Sequence, residues 1–183
     1  LHKRSLAIDQ TALGPDHPDV AADLNNLALL YSDQGRYASA EPLYKRSLAI
    51  MEKGLGSDHP NVARSLNNLA DLYRTQGQII LALDYIRRSG AINRARAERT
   101  GGFSGGRLSE QKRVRHVFVR HVAYAAAVAD KEPSKAAALT AEGFEAGQLA
   151  ISTGAGAAIS RMAARFATGK DALDVVIRKR QDA

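Results

Sequence analysis

Five histidines are the side chains of this sequence best suited to general acid–base work or to holding a metal, and their spacing argues against both. His116 and His121 are five positions apart. On a helix that places them about 140° apart, too far round to chelate one ion from a common face. His121 is expected to pack inward and His116 to face solvent. His17 and His59 stand in equivalent turns, where each is expected to satisfy local backbone groups rather than bind metal. Glu142 and Glu145 have no basic or carboxylate context that suggests catalysis and read as a solvated helix face. No Ser/His/Asp set stands out. Cys is absent, which removes disulfides, thiolate zinc sites and a cysteine nucleophile together. The run Gly101-Gly102-Phe103-Ser104-Gly105-Gly106 has the glycine density of a phosphate cradle. No Gly-Lys-Ser/Thr follows it and no strand precedes it, so it reads as a linker. The sequence is expected to carry no catalytic residue, no metal site and no cofactor.

Charge points to one further possibility. The net charge is +7, yet ten basic residues between Ile86 and His121 face only Glu98 and Glu110. That stretch alone carries +8, so the rest of the chain is close to neutral. The stretch 87–120 could grip nucleic-acid phosphates. It lacks interleaved aromatics for base stacking, having only Phe103 and Phe118 nearby, and a solvated face or a dock for an acidic protein partner is the preferred reading. No run of 18 apolar residues occurs, so no membrane-spanning helix is expected. The start, Leu1-His2-Lys3-Arg4, lacks the apolar core of a signal peptide. It also falls midway through a repeat, which suggests an internal fragment of a longer protein. Cytoplasmic residence is the expectation, and the oligomeric state is not legible.

The elements that would position any site follow from that repeat. Lys3-Arg4-Ser5-Leu6-Ala7-Ile8 returns as Lys45-Arg46-Ser47-Leu48-Ala49-Ile50, a shift of 42 residues. Residues 3–50 and 45–92 share 27 identities in 48 positions, too many for coincidence. Pro18 and Pro60 suit the first turn of a helix, where the missing N–H costs nothing. Leu24, Leu27, Ala28 and Tyr31 then recur at helical spacing, as do Leu66, Leu69, Ala70 and Tyr73. Gly35 and Gly77 end these first helices. Second helices follow, from Tyr37 to Lys53 with Ala40, Leu43, Tyr44, Leu48 and Ile50 on one stripe, and again through Ala82, Leu83 and Ile86. Ala28, Ala40, Ala70 and Ala82 let paired helices approach closely. A pair of this size cannot bury its apolar face alone, so units must stack.

This pattern resembles the tetratricopeptide repeat in its 42-residue, kinesin-light-chain-like form. The matching residues are Leu24, Leu27, Ala28, Tyr31, Gly35, Tyr37, Ala40 and Tyr44, then Leu66, Leu69, Ala70, Tyr73, Gly77 and Ala82. Ile79, Ile80 and Leu81 depart from the first unit's Tyr37-Ala38-Ser39. The resemblance implies an all-α fold, a right-handed α-solenoid of antiparallel helix pairs followed by additional helices. It also implies a protein-interaction scaffold whose first helices line a concave groove for a partner peptide or helix, and no enzyme. Carried over by position, the groove falls to Asn25 and Asn67, to Leu29 and Asp71, and to Ser32 and Arg74. An Asn amide can bracket a peptide backbone without reading its sequence, and Arg74 suits an acidic group. A structural role repeated in each unit is the other reading of Asn25 and Asn67. Asn26 and Asn68, beside the inward stripe, are expected to bond between helices. Leu29 and Asp71 stand where a further Asn would grip a terminal carboxylate, so capture of a peptide C-terminus is not expected.

Residues 1–99 thus read as the repeat region, with a half repeat over 1–16 and units at 17–58 and 59–99. Residues 100–107 read as the Gly-rich linker and 108–183 as a helical region. There Val114, Val117, Phe118, His121, Val122 and Ala125 share a face, and Pro133 opens a helix through Leu139, Phe144, Leu149 and Ile151. This pair reads as a degenerate repeat, with two more helices over 154–168 and 171–180. The run from Gly143 to Ala150, Arg161-Met162-Ala163-Ala164-Arg165-Phe166, Gly169 to Leu173 and Arg178-Lys179-Arg180-Gln181 is similar to the segment joining repeats to the caspase-like domain of bacterial CHAT proteins. That likeness implies the regulatory arm of a larger protein.

Overall fold

The computed structural model describes residues 2–99 and 108–152, and the predicted helices over 154–168 and 171–180 and the Gly-rich linker lie outside them. Among the described residues every regular element is helical. The order is α1 (His2–Leu13), α2 (Pro18–Asp33), α3 (Tyr37–Leu55), α4 (Pro60–Thr75), α5 (Ile79–Arg99), α6 (Leu108–Lys131), a 3-10 turn (Pro133–Lys135) and α7 (Ala136–Ser152). The chain divides into two compact units, Leu1–Arg96 and Ala97–Ala183. No described helix is long and apolar enough to cross a membrane.

In the first unit the boundaries recur with the same period because the same terminal chemistry recurs. Pro18 and Pro60 open α2 and α4. The Nδ1 of His17 accepts the backbone N–H of Asp19 at 3.2 Å, and that of His59 accepts Asn61 at 3.1 Å. Each imidazole thereby caps one of the unpaired donors of a helix start, as the sequence predicts. At the other end Gly35 and Gly77 have φ of 73° and 76°. The left-handed glycine lets Arg36 N–H reach the Tyr31 carbonyl and Gln78 N–H reach that of Tyr73, at 2.8 and 2.9 Å. The second helix extends to Leu55, two residues past the expected Lys53, and Gly54 is helical. A Cβ there would lie 3.2 Å from Pro18 Cγ, so the end of α3 rests on the start of α2.

Packing joins α1 to α2, α2 to α3 and α3 to α4. Ala28, Ala40, Ala70 and Ala82 are fully buried, with Leu24, Tyr44, Leu66, Leu69, Leu83 and Ile86 around them. Two bonds not foreseen from the sequence clamp each pair. Ser47 Oγ on α3 donates to the Ala21 carbonyl on α2 at 2.6 Å, and Ser89 Oγ on α5 donates to the Ala63 carbonyl on α4 at 2.8 Å. Both serines are fully buried. A side chain as short as Ser reaches a neighbouring backbone only where helices approach closely, which the alanines permit.

The second unit pairs α6 with α7. Val114, Phe118, Ala146 and Ala150 form its core, flanked by Val119, Val122 and Leu149. His121 is buried and His116 exposed, as expected. Three details correct the sequence reading. Pro133 opens the 3-10 turn, and α7 begins only at Ala136. Ile151 lies among the exposed apolar residues. Glu142 is not a solvated residue: its Oε1 is hydrogen-bonded to Nε2 of buried His121. The partner is 21 positions away, and helical spacing within one element cannot show it.

Replacing Ser47 by Ala should cost about 1 kcal/mol, and Ser47→Ala with Ser89→Ala about twice that, as each removes one buried hydrogen bond. Gly35→Ala should cost about 1 kcal/mol through its positive φ. Urea unfolding followed by helical circular dichroism measures all three.

Candidate partner-binding groove

First helices α2 and α4 each leave one stripe uncovered. On α2 it holds Asn26, Leu29, Leu30 and Asp33, and on α4 Arg64 and Arg74 are exposed with Asn67, Asn68 and Asp71 half-buried between them. Of the positions expected to line a groove, Leu29 is 48% exposed, which is large for a leucine. Arg74 is exposed, and Ser32, Asn67 and Asp71 are half-buried.

Asn25 lies deeper, at 8% exposure. Its Oδ1 accepts Nδ2 of Asn68 at 2.8 Å, linking α2 to α4. Asn68 therefore does bond between helices as expected. Asn26 is exposed and does not share that role. The difference is geometric: Asn68 has the preceding first helix beside it, and Asn26 has none among the described residues. Asn26, Leu30 and Arg64 were missed as surface members of these stripes. Asn26 and Arg64 lie three positions before Leu29 and Asn67, and Leu30 lies four after Asn26, and that spacing is the signal that places them.

Tyr44 on the second helix α3 and Tyr73 on the first helix α4 are both buried. Burial raises the Tyr44 phenol to about 12, helped by the Asp33 and Asp71 carboxylates. Tyr73 on α4 stacks on Tyr85 of α5, with ring centroids 5.4 Å apart, and donates its hydroxyl to Glu41 Oε1 of α3 at 2.9 Å. Lys45 also donates to that oxygen, at 2.7 Å. These bonds, Lys45 first and Tyr73 second, hold the Glu41 carboxyl below its usual range. Glu41 of α3 is thus tied to α4 through Tyr73. Among the described residues no three His, Asp or Glu side chains gather to hold a metal.

The Tyr44 shift has a definite pH consequence. Its folded-state value is above the ordinary 10.0, so the fold favours the neutral phenol. That stability is present below the unfolded value and is lost as pH rises toward about 12. Difference titration of tyrosinate absorbance against Tyr44→Phe should show one late-ionising tyrosine, and Asp71→Asn should move it to lower pH.

Comparison with known proteins places this geometry. The profile of the family described as tetratricopeptide repeat matches residues 1–53 and 33–95, together more than half of the 183-residue chain. Nephrocystin-3 of Xenopus laevis and of Homo sapiens are each 50% identical to it over 42 residues, 23% of this chain. The chain spans only 3% of the length of those relatives. Among solved structures, BtubC (BKLC) from P. vanneervenii superposes with a TM-score of 0.62 at 21% identity, over 83% of this chain and 53% of its own. A kinesin light chain from Podosopora anserina with nearly identical TPR-like repeats gives 0.52 at 23% identity, over 100% of this chain and 86% of its own. At such identities these structures speak for the solenoid fold alone. The period, the capped helix pairs and the profile match agree: this chain belongs to the tetratricopeptide repeat family.

Proposed function

We propose that the chain is a protein-interaction scaffold whose first helices receive an extended segment or helix of a partner protein. The observation that carries this reading is the exposure of Leu29 at 48% on the α2 stripe. Asn67, Asp71 and Arg74 occupy the corresponding places on α4. Leu29 supplies an apolar contact and Ser32 and Asn67 supply hydrogen-bonding groups. Arg74 supplies a charge for an acidic side chain of the partner, and Asp71 disfavours a second acidic group beside it. Asn25 acts from beneath, holding α2 against α4 through Asn68 rather than reaching the partner itself. Family membership supports protein binding in general, and tetratricopeptide proteins are typically scaffolds without a catalytic site. In this reading the chain is non-enzymatic and cytoplasmic, and serves as the regulatory arm of a larger bacterial protein with a caspase-like domain. The likeness of residues 143–181 to the linker of CHAT proteins supports that last assignment.

The basic stretch favours protein over nucleic acid. Arg87 is bound to Asp84 at 3.1 Å, and Arg88 to Glu52 of α3 at 2.7 Å. Both guanidinium groups therefore already have protein counter-ions.

A displayed peptide library selected on the chain tests the groove. Binders should be enriched in segments pairing an apolar with an acidic residue. Leu29→Asp with Arg74→Glu should weaken them about tenfold or more, with helical circular dichroism unchanged. Equal retention by the variant removes the groove assignment.

A further inference from the structure

The basic stretch divides in the structure into cations that are engaged and cations that are not. On α5, Arg87 is paired with Asp84 and Arg88 with Glu52. On α6, Lys112, Arg113, Arg115 and His116 have no hydrogen bond or ion pair among the described residues. Lys112, Arg113 and His116 are exposed and Arg115 is half-buried. At 3.6 residues per turn the three exposed side chains lie within about 100° of one another. Val114, Val117, Phe118, His121 and Ala125 are buried on the other side of the helix, so packing fixes which face carries the charge. From Gln111 to Ala129 the sequence holds no Asp or Glu. Lys112 and Arg115 are three positions apart, a spacing at which like charges on a helix repel. Arg120, further along, has an interaction of its own. The uncompensated charge is therefore concentrated in the first half of α6.

We propose that this face of α6 docks an acidic segment of a partner protein, whose Asp and Glu side chains take up Lys112, Arg113 and Arg115. A guanidinium receives a carboxylate through two parallel N–H donors, and Lys112 adds a compact charge beside it. His116 offers a ring N–H in either protonation state. The neighbouring side chains favour protein over other polyanions. Phe118 and Tyr124 are 1% and 3% exposed, so nucleic-acid bases have no ring on this face to stack on. Among the described residues no exposed large apolar side chain lies on α6, and a helix lying in a membrane surface needs such a side free. The chain itself offers a poor counterpart. Residues 153–183 hold six basic residues against three acidic ones. In the repeat region Asp16, Glu41, Glu52 and Asp84 are already paired. The occupant is therefore a separate acidic protein. This surface belongs to the second unit and the groove to the first, so either assignment can fail without the other.

The test follows a labelled synthetic Glu-rich peptide by fluorescence anisotropy as the full chain is added. Physiological ionic strength is used, where the Debye length is about 8 Å and distant charges contribute little. Saturable binding is expected, and the same peptide with glutamine at every glutamate should bind about tenfold or more weakly. Lys112→Glu with Arg113→Glu should cause a loss of similar size. Both side chains are exposed, so helical circular dichroism should be unchanged. Arg64→Glu with Arg74→Glu alters net charge by the same amount on α4 and should leave binding within about twofold. Equal loss in the two variants would reduce the effect to net charge and overturn the proposal. Absence of saturable binding overturns it, as does binding indifferent to Lys112→Glu with Arg113→Glu. Single-stranded RNA or phosphatidylserine–phosphatidylcholine vesicles bound more tightly than the peptide, and lost in that variant, would give the face to another class of partner and overturn it. Self-association in sedimentation, abolished by the same variant, would assign the face to a second copy and overturn it too.

Discussion

The contact on which the repeat region depends is a serine hydroxyl held 2.6 Å from the carbonyl of a neighbouring helix. A helix carbonyl already accepts one intrahelical N–H, and a second donor reaches it only if the two backbones lie close. Alanine at 21, 28 and 40 makes that approach possible, and burial of Leu24, Leu48 and Tyr44 around it supplies the driving force. The same set recurs at Ala63, Ala70, Ala82 and Ser89. The spacing of the pair then sets where every other side chain of the unit stands, including the stripe that faces outward.

Polar contacts between units play a different part. Lys53 with Asp16 and Arg88 with Glu52 are exposed ion pairs, and such pairs add little to stability. Asn25 with Asn68 and Glu41 with Tyr73 are more sheltered and more specific. A one-residue slide of α4 along α2 would break both, while an apolar contact could re-form after the slide. The apolar stripe thus holds units together, and the sheltered polar pairs hold them in register.

This division explains why a chain rich in ionisable residues reads as a contact surface. Glu41, Tyr73, Lys45, His121 and Glu142 each have a partner whose removal would loosen a helix pair. The shifts of Glu41, Lys45 and Tyr73 are those of structural pairs. The outward stripe of α2 and α4 is instead mixed in character, with Leu29 and Leu30 beside Asn67, Asp71 and Arg74. Shape complementarity and charge placement decide binding on such a surface.

The helical class, the 42-residue period, the helix starts at Pro18 and Pro60 and the turns at Gly35 and Gly77 were all determined by sequence. They rest on local chemistry: a proline without an N–H, an imidazole two residues from its donor, a glycine with positive φ, an apolar stripe at helical spacing. Such terms act over a few residues and repeat whenever those residues repeat. The groove positions could be named by register, but their surroundings could not. Asn25 and Asn67 are equivalent in sequence, yet Asn25 is buried because Asn68 of the next unit bonds to it. Asn26 and Asn68 are equivalent too, and among the described residues only Asn68 has a preceding first helix beside it. Glu142 reads as solvated until α6 brings His121 to it. In each case the deciding partner is 21 to 43 positions away, beyond the reach of helical periodicity, so only the packing of whole helices settles which equivalent residue is covered.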